Sequence, residues 1–533
     1  MALLTELPPE IIHNVLRFVD PPDLALVARI CRVFHYSVKG NPTVFRDVYL
    51  AHYDAPASVD DVDWERALKD VVRLQVVCSR QGADKKKDEL SFVYETVNQL
   101  LQRASSDGER AAPSATYGHS RNAEFLSQLF ANPENQKVFL EQSFLYERAH
   151  FKLPQHASFA DPPKAEHQQS AKLHCLYGVP LLHSTRSGHG YATRATSKMG
   201  PFACSKVYDL RQYTERTRWG PFMDDGSDRT DWEKVEAIML CLGSNLDKLG
   251  LNKFPICRQF WSVPFAGVWP GSYMRLPMLG PDKANQEGDE ELDDPYGITG
   301  TWLRVVCFLD YTDFFHFNFN PDGDMPSNVP RRAISYGEAT RLILMKISVS
   351  AVEPPGPGDG QALPVVHFKG VSRSLDDNWD ENANSDMRGT VRLTPEGEVR
   401  WTTWSLFNGQ ERWRSESVQV GGVRSAKGVL GNWFDKDYDP RGPAGPTAFW
   451  KISDQVSRGA ERELMTDNHD GIDLPDGDYY PDEEVDDDED GGEPEDEEDS
   501  EDGFGFGNIE DVEIEFVAGS AAEVAEIIAR LQR

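Results

Sequence analysis

Residues 4–54 read LTELPPEIIHNVLRFVDPPDLALVARICRVFHYSVKGNPTVFRDVYLAHYD. Three apolar stripes with helical spacing are separated here by two proline-bearing turns. Pro8 and Pro9 suit a helix start because the first helical turn has no intrahelical N–H partners to lose, and Asn41 and Pro42 supply a second cap and start. Three short helices cannot bury all of this apolar surface among themselves, so part of it must pack on the next domain or on a partner.

Three motifs in residues 1–54 resemble an F-box in order and spacing: L-P-x-E-I from Leu7, D-L-x-L-V-x-x-I-C-R-x-F from Asp23, and N-P-x-x-F-R from Asn41. A large aromatic residue, Phe45, stands where many F-boxes have Trp. The resemblance implies binding to a Skp-type adaptor, which bridges to a cullin scaffold carrying a RING subunit. Any one of the implied residues taken alone is equally compatible with helical core. The adaptor contacts that the resemblance implies are Leu7, Pro8, Ile11, Val15, Leu24, Val27 and Phe45.

Residues 55–256 are predicted to form a helical middle region. Apolar residues recur at three-to-four spacing in residues 64–103, with a polar interruption at GADKKKDE. Two further helices are expected on either side of Pro133, and another begins at DWEKVEAIML with Asp231 as its N-cap.

Residues 257–456 change to segments rich in β-branched and aromatic residues, which predict strands. The segments WSVPFAGVWPGSYMRL and GTWLRVVCFLDYTDFFHFNFN are interpreted as strands in full. The clearest hairpin is GTVRLTPEGEVRWTTWSL, in which Pro395, Glu396 and Gly397 form the turn. Strands joined by short connections without intervening helices indicate an antiparallel barrel or sandwich, so the predicted class is α+β.

The segment around Gly267, Trp269, Gly271 and Tyr273 is similar to the strand that opens the β-barrel behind the F-box in a subset of F-box-only proteins. That resemblance implies a barrel that holds a protein target. Aromatic residues offer rigid surfaces and arginines can pair with a carboxylate or phosphate. The alternative is that the aromatics fill the barrel and the arginines lie on its exterior. The predicted target contacts are Trp269, Tyr273, Arg275, Arg304 and Trp401.

The charge is strongly negative, at −33 for 533 residues. Residues 482–502 contain 16 Asp or Glu and no Lys or Arg, and taking these from −33 leaves −17 for the rest. A nucleic-acid partner is therefore not expected, because such binding depends on Lys and Arg. Residues 457–508 are predicted to be a disordered acidic tail, followed by a short strand or helix at 509–533.

The seven cysteines are scattered, odd in number and never spaced as C-x-x-C, which argues against a disulfide framework or a zinc knuckle. No stretch approaches the roughly 18 apolar residues of a membrane span, and no leader peptide is recognised. We therefore expect no membrane association, no metal and no cofactor, and a location in the cytoplasm, the nucleus or both. Asp310, Asp313 and His316 invite a catalytic interpretation, but turn and strand residues are the better account of them.

The sequence thus predicts a non-catalytic substrate receptor of an SCF-type ubiquitin ligase, whose barrel brings a protein target for ubiquitination and degradation. Two alternatives remain open. One is a scaffold or regulator that binds the adaptor outside a ligase, and the other is an enzyme built on the barrel with an appended F-box.

Overall fold

The computed structural model describes most of the helical and barrel regions. The predicted acidic tail at 457–508, the segment 509–533 and two predicted target contacts, Tyr273 and Arg275, lie outside the described residues. The described residues are 7–56, 62–105, 120–150, 164–182, 184–185, 196–249, 261–269, 293–319, 329–334, 337–374 and 384–453.

Residues 7–56 form four short helices, where the apolar stripes predict three: α1 (Pro9–Leu16), α2 (Leu24–Val27), α3 (Arg32–Val38) and α4 (Pro42–His52). Pro9 and Pro42 occupy the first positions of α1 and α4, as predicted. The middle stripe breaks after Val27, because the amides of Arg29 and Ile30 bond to carbonyls three residues back, which tightens the turn and ends the helix.

The middle region is helical, with one small two-stranded sheet of β1 (Ser184–Thr185) and β2 (Thr196–Ser197). Asp231 caps the last helix by accepting from the amide of Glu233 at 3.1 Å, which confirms that prediction. The helices are α5 (Trp64–Ser79), α6 (Asp84–Lys87), α7 (Leu90–Gln102), α8 (Arg121–Phe130), α9 (Pro133–Phe139), α10 (Phe144–His150), α11 (Ala165–Tyr177), α12 (Gly200–Val207) and α13 (Trp232–Leu249).

Eight antiparallel strands close into a barrel in the order β10-β3-β4-β5-β6-β7-β8-β9, which confirms the α+β class. The predicted hairpin is β6–β7: Val391 pairs with Trp401, and Gly397 turns the chain with φ of 85°. The strands are β3 (Gly300–Leu309), β4 (Glu338–Glu353), β5 (Val365–Ser374), β6 (Asn384–Leu393), β7 (Val399–Phe407), β8 (Gln410–Gln419), β9 (Val429–Asp435) and β10 (Ala444–Ser453).

The barrel separates two apolar cores. Side chains alternate between the two faces of each strand, so Trp302 and Phe449 join the core inside the barrel. Leu303 and Ala448, one residue along, join the core shared with the helices. Helix α13 packs against β3, β9 and β10 from outside. The barrel is therefore attached to the helical region through a buried apolar interface.

Two strand predictions are wrong. Residues 311–319 form a helix, α14 (Tyr311–Phe319), because the Asp310 side chain accepts from the Thr312 amide at 2.8 Å and caps it. Asp310 and His316 therefore do not share a strand face. Residues 261–269 form turns instead of a strand, with Phe265 at a φ of 55° and its amide bonded to the carbonyl of Tyr177.

Candidate functional site

Helices α1 to α3 and the turns that follow α1 and α2 present large apolar side chains to solvent, 39 to 75% exposed. Seven of the eleven exposed large apolar residues in the described chain fall within this short segment. Single exposed apolar residues are ordinary, but a cluster of this kind marks a surface that binds another molecule. We call it the N-terminal apolar face: Ile11, Val15, Phe18, Leu26, Ile30, Val33 and Tyr36.

Helix α1 shows how the face arises. Ile12 and Leu16 point into the core, whereas Ile11 and Val15, one position earlier in each turn, remain exposed. The helix is apolar on two sides, so its own core can cover only one of them. The second apolar side of α1 is removed from water only when a partner covers it.

The structure distributes the predicted adaptor contacts over two environments. Ile11 and Val15 belong to the N-terminal apolar face, and Pro8 is exposed beside it. Leu7 and Val27 are half-buried and pack on the core. Leu24 and Phe45 are only 3% and 8% exposed. These last two residues therefore support the face from beneath.

Sequence reasoning missed five members of the face. Apolar residues at helical spacing continue from Leu24 through Ile30 to Phe34, but the turn after Val27 rotates Ile30 outward to 69% exposure. The periodicity of the sequence gives no signal for this turn.

A buried carboxylate ties this segment to the helical region. Asp54, at the end of the N-terminal helices, accepts hydrogen bonds from the Ser120 hydroxyl at 2.5 Å and from the Arg121 amide at 3.0 Å. The Asp54 amide donates to the Asn122 side chain at 3.0 Å. Tyr53 also packs edge-on against Phe125, with ring centroids 5.3 Å apart. The N-terminal apolar face is thus held in a defined orientation relative to the helices behind it.

The barrel interior has an aromatic layer that closes one half of it. Trp401 is fully buried and its ring lies 5.2 Å from Trp302 and 5.3 Å from Phe449. Its indole N–H donates to the Gln419 side chain at 3.1 Å. Trp401, predicted as a target contact, therefore lies in the structural core of the barrel. Trp269 is also buried, in the core between barrel and helices.

Arg304 is the predicted target contact with the most unusual environment. It lies two residues beyond Trp302 on the interior face of β3, opposite Phe449, and is 7% exposed. Its Nε donates to the Thr447 hydroxyl at 2.9 Å, and no carboxylate of the described residues forms an ion pair with it. Burial lowers the pKa of Arg304 to about 10, so it remains a cation at pH 7.

Arg304 faces Phe449 and Ile343 across the neighbouring strands, and hydroxyl side chains lie elsewhere in the barrel wall, on β7 and β8. Thr403 lies two residues beyond Trp401, faces Ser415 across the strand pair and hydrogen-bonds to it. Ser417 is fully buried and its hydroxyl has no hydrogen-bond partner within the described residues. A buried cation whose described side-chain partner is the single hydroxyl of Thr447 can bind a carboxylate or a phosphate group.

The catalytic candidates do not assemble into a site. Asp310 caps α14, and Asp313 and His316 lie on that helix without a shared partner among the described hydrogen bonds. One buried His–Glu pair, His174 Nδ1 to Glu236 Oε1 at 2.7 Å, is fully enclosed between α11 and α13. It is out of reach of any substrate and holds the two helices together.

One group in the described chain has the side chains to hold a metal ion: Cys204, Cys241 and Glu338. Their ligand atoms lie within 4.8 Å of one another. Among the described helices, none is both long enough and apolar enough to cross a membrane.

Comparison with known protein families gives one match, in which residues 4–51 fit the F-box-like family. Neither the curated proteins nor the solved structures gave a match to the chain. An F-box-like domain in general indicates binding to a Skp-type adaptor and a receptor role in SCF-type ligases. The matched residues contain the whole N-terminal apolar face. The chain therefore carries an F-box-like domain at its N-terminus, ahead of a helical region and an eight-stranded antiparallel β-barrel.

Proposed function

We propose that this protein is the substrate-recognition subunit of an SCF-type E3 ubiquitin ligase, in which residues 1–54 bind a Skp-type adaptor and, through it, a cullin–RING scaffold. The observation that carries the proposal is the N-terminal apolar face within the F-box-like match. Association removes such a surface from water, which favours binding at about 25 cal/mol per Å² of apolar area buried.

The protein itself performs no chemistry in this proposal. It raises the effective concentration of a target lysine beside the ubiquitin-charged conjugating enzyme of the ligase. The buried contacts of Asp54 support this role, because a fixed orientation of the adaptor-binding face limits the volume that a bound target explores.

The barrel, in residues 257–456, is proposed to hold the target. Arg304 is the anchor, pairing with a carboxylate or phosphate group that enters the barrel. Trp401 contributes indirectly, because the aromatic layer keeps water and side chains from the inner side of the site. Trp269 is a support residue in the same scheme, at the interface of barrel and helices.

The adaptor interface is tested by placing a charge on the N-terminal apolar face. Val15→Glu and Ile30→Glu each leave the core untouched, since both side chains are exposed. Burying an unpaired carboxylate in an interface is costly, so we expect at least a tenfold loss of adaptor recovery in co-precipitation from cells. The matched control is Val76→Glu, an equally exposed valine on α5 outside the F-box-like match, which retains full recovery.

The outcome for the cullin separates the proposal from the alternative of an adaptor-bound scaffold. Both functions predict loss of the adaptor in Ile30→Glu. Only a ligase receptor co-precipitates the cullin and shows a partner whose level rises when cullin activity is blocked. Equal recovery of adaptor by Ile30→Glu and wild type would overturn both.

A further inference from the structure

Two thiols and a carboxylate that are distant in sequence meet where the helical region joins the barrel. Cys204 of α12 and Cys241 of α13 have their sulfur atoms 3.2 Å apart. Glu338, the first residue of β4, lies against both: Oε2 is 3.1 Å from the Cys204 sulfur and Oε1 is 3.2 Å from the Cys241 sulfur. Both cysteines are buried and Glu338 is half-buried.

The cluster has donors but no cation. Besides the two thiols, the Tyr208 hydroxyl donates to Glu338 Oε1 at 2.6 Å. Within the described residues, no lysine, arginine or histidine forms an ion pair with Glu338. Among the described residues, the hydrogen-bond donors to this half-buried carboxylate are two weak thiols and one phenol.

We propose that Cys204, Cys241 and Glu338 form a binding site for a zinc ion. Thiolates are soft ligands that select zinc over magnesium and calcium, which prefer all-oxygen sites. In a tetrahedral zinc site with Zn–S of about 2.3 Å and Zn–O of about 2.0 Å, ligand atoms lie about 3.5 to 3.8 Å apart. The two sulfurs are 3.2 Å apart, about half an ångström closer than in such a site, and each contacts a different oxygen of Glu338. Side-chain rotations would bring the two sulfurs and one oxygen to the spacing of a common ion.

The charge of the site supports zinc. With both thiols protonated, the cluster carries only the charge of the Glu338 carboxylate. Binding of Zn²⁺ releases the two thiol protons to solvent, and two thiolates, one carboxylate and one Zn²⁺ again sum to a single negative charge. The ion can therefore enter this buried place without a change in net charge.

Tyr208 is a positioning residue for the site. Its hydroxyl fixes one oxygen of Glu338 through the 2.6 Å hydrogen bond, as second ligand shells commonly do for carboxylates. Three protein ligands would leave the fourth tetrahedral position for a water molecule. Because the three ligands come from α12, α13 and β4, the ion would hold the helical region onto the barrel.

The primary measurement is the metal content of the full chain, purified under reducing conditions without a chelator or a metal-affinity column. Elemental analysis by mass spectrometry is expected to give about one zinc per chain. The double variant Cys204→Ser/Cys241→Ser loses it. The matched control Cys78→Ser, a buried thiol on α5 away from the cluster, retains it.

Two further measurements keep the proposal testable if the double variant does not fold. Glu338→Gln keeps the shape of the side chain and removes its charge, and it is expected to weaken zinc binding in a competition titration. Tyr208→Phe weakens binding by about 10- to 100-fold if Tyr208 positions the ligand. Cobalt loaded in place of zinc should show the thiolate-to-metal absorption band of a tetrahedral site in wild type.

Three results would overturn the assignment. The first is wild-type protein that contains no zinc and fails to bind it after incubation with zinc chloride. The second is a metal other than zinc at the same stoichiometry. The third is a disulfide between Cys204 and Cys241, which requires the sulfurs to approach to about 2.05 Å and appears as two missing thiols without reductant.

Discussion

Arg304→Met is expected to stabilise the protein while abolishing target binding. Burial lowers the pKa of Arg304 from 12.5 to about 10, so the folded state disfavours the charged form. At about 1.36 kcal/mol per pKa unit, the shift costs the folded state roughly 3 kcal/mol at every pH below about 10. Methionine removes this cost and also the hydrogen bond to Thr447, worth about 1 kcal/mol, so the net gain is about 2 kcal/mol.

Arg400→Met is the matched control, because the same substitution at this position is expected to lower the free energy of unfolding. Arg400 is 5% exposed, and its guanidinium pairs with Glu416 at 2.9 Å and with Asp228 at 3.1 Å. Removing Arg400 takes a buried hydrogen-bonding cation from both carboxylates, which keep Arg414 and Arg392 as partners, so we expect a cost of about 1 to 3 kcal/mol.

Thermal unfolding followed by tryptophan fluorescence measures both effects, since the chain contains 12 tryptophans. A gain of about 2 kcal/mol raises Tm by about 4 to 8 °C for a unit of barrel size. If Arg304→Met instead lowers Tm as Arg400→Met does, Arg304 has an anionic partner within the chain. The proposed anchor for the target would then be wrong.

Two further substitutions test the fold. Gly178→Ala, at φ +76°, places a methyl group against the side chain of the buried Lys427. It should therefore cost about 1 to 3 kcal/mol more in urea unfolding than Gly226→Ala, whose φ is +78° and whose surroundings are open. Equal costs would contradict the packing at Lys427. For Asp209, burial raises the pKa, but the hydrogen bonds and charge of Arg211 outweigh it and the net pKa is lowered. The stabilisation is therefore present at pH 7 and fades as the pH falls below about 4, so the Tm deficit of Asp209→Asn should shrink there; a deficit that is constant with pH would contradict it.

The strand pattern predicted the barrel well where the two faces of a strand differ in burial, as in β6. It was wrong at residues 311–319, where aromatic residues occupy alternate and adjacent positions alike. The decisive signal was local: Asp310 precedes the segment and caps a helix. Composition alone cannot separate an aromatic-rich strand from a short aromatic-rich helix such as α14.

The candidate sites show a second limit of sequence reasoning. Motif spacing located the F-box-like segment, but the exposure of Ile30 follows from a turn that periodicity does not reveal. Arg304 and Arg400 both lie in strand segments, and only their side-chain partners in the structure distinguish them. Cys204 and Cys241 are 37 residues apart, and Glu338 is 97 residues beyond Cys241, so no spacing rule brings them together.

The closure of the barrel restricts how a degradation signal can be read. Each of its eight strands is hydrogen-bonded on both sides, so this sheet offers no edge to which a peptide could add its own backbone. Under the proposed function, a target would therefore be recognised through its side chains or a chain end. Proline scanning of a degron should then leave binding largely intact, whereas removing a single negative charge should abolish it.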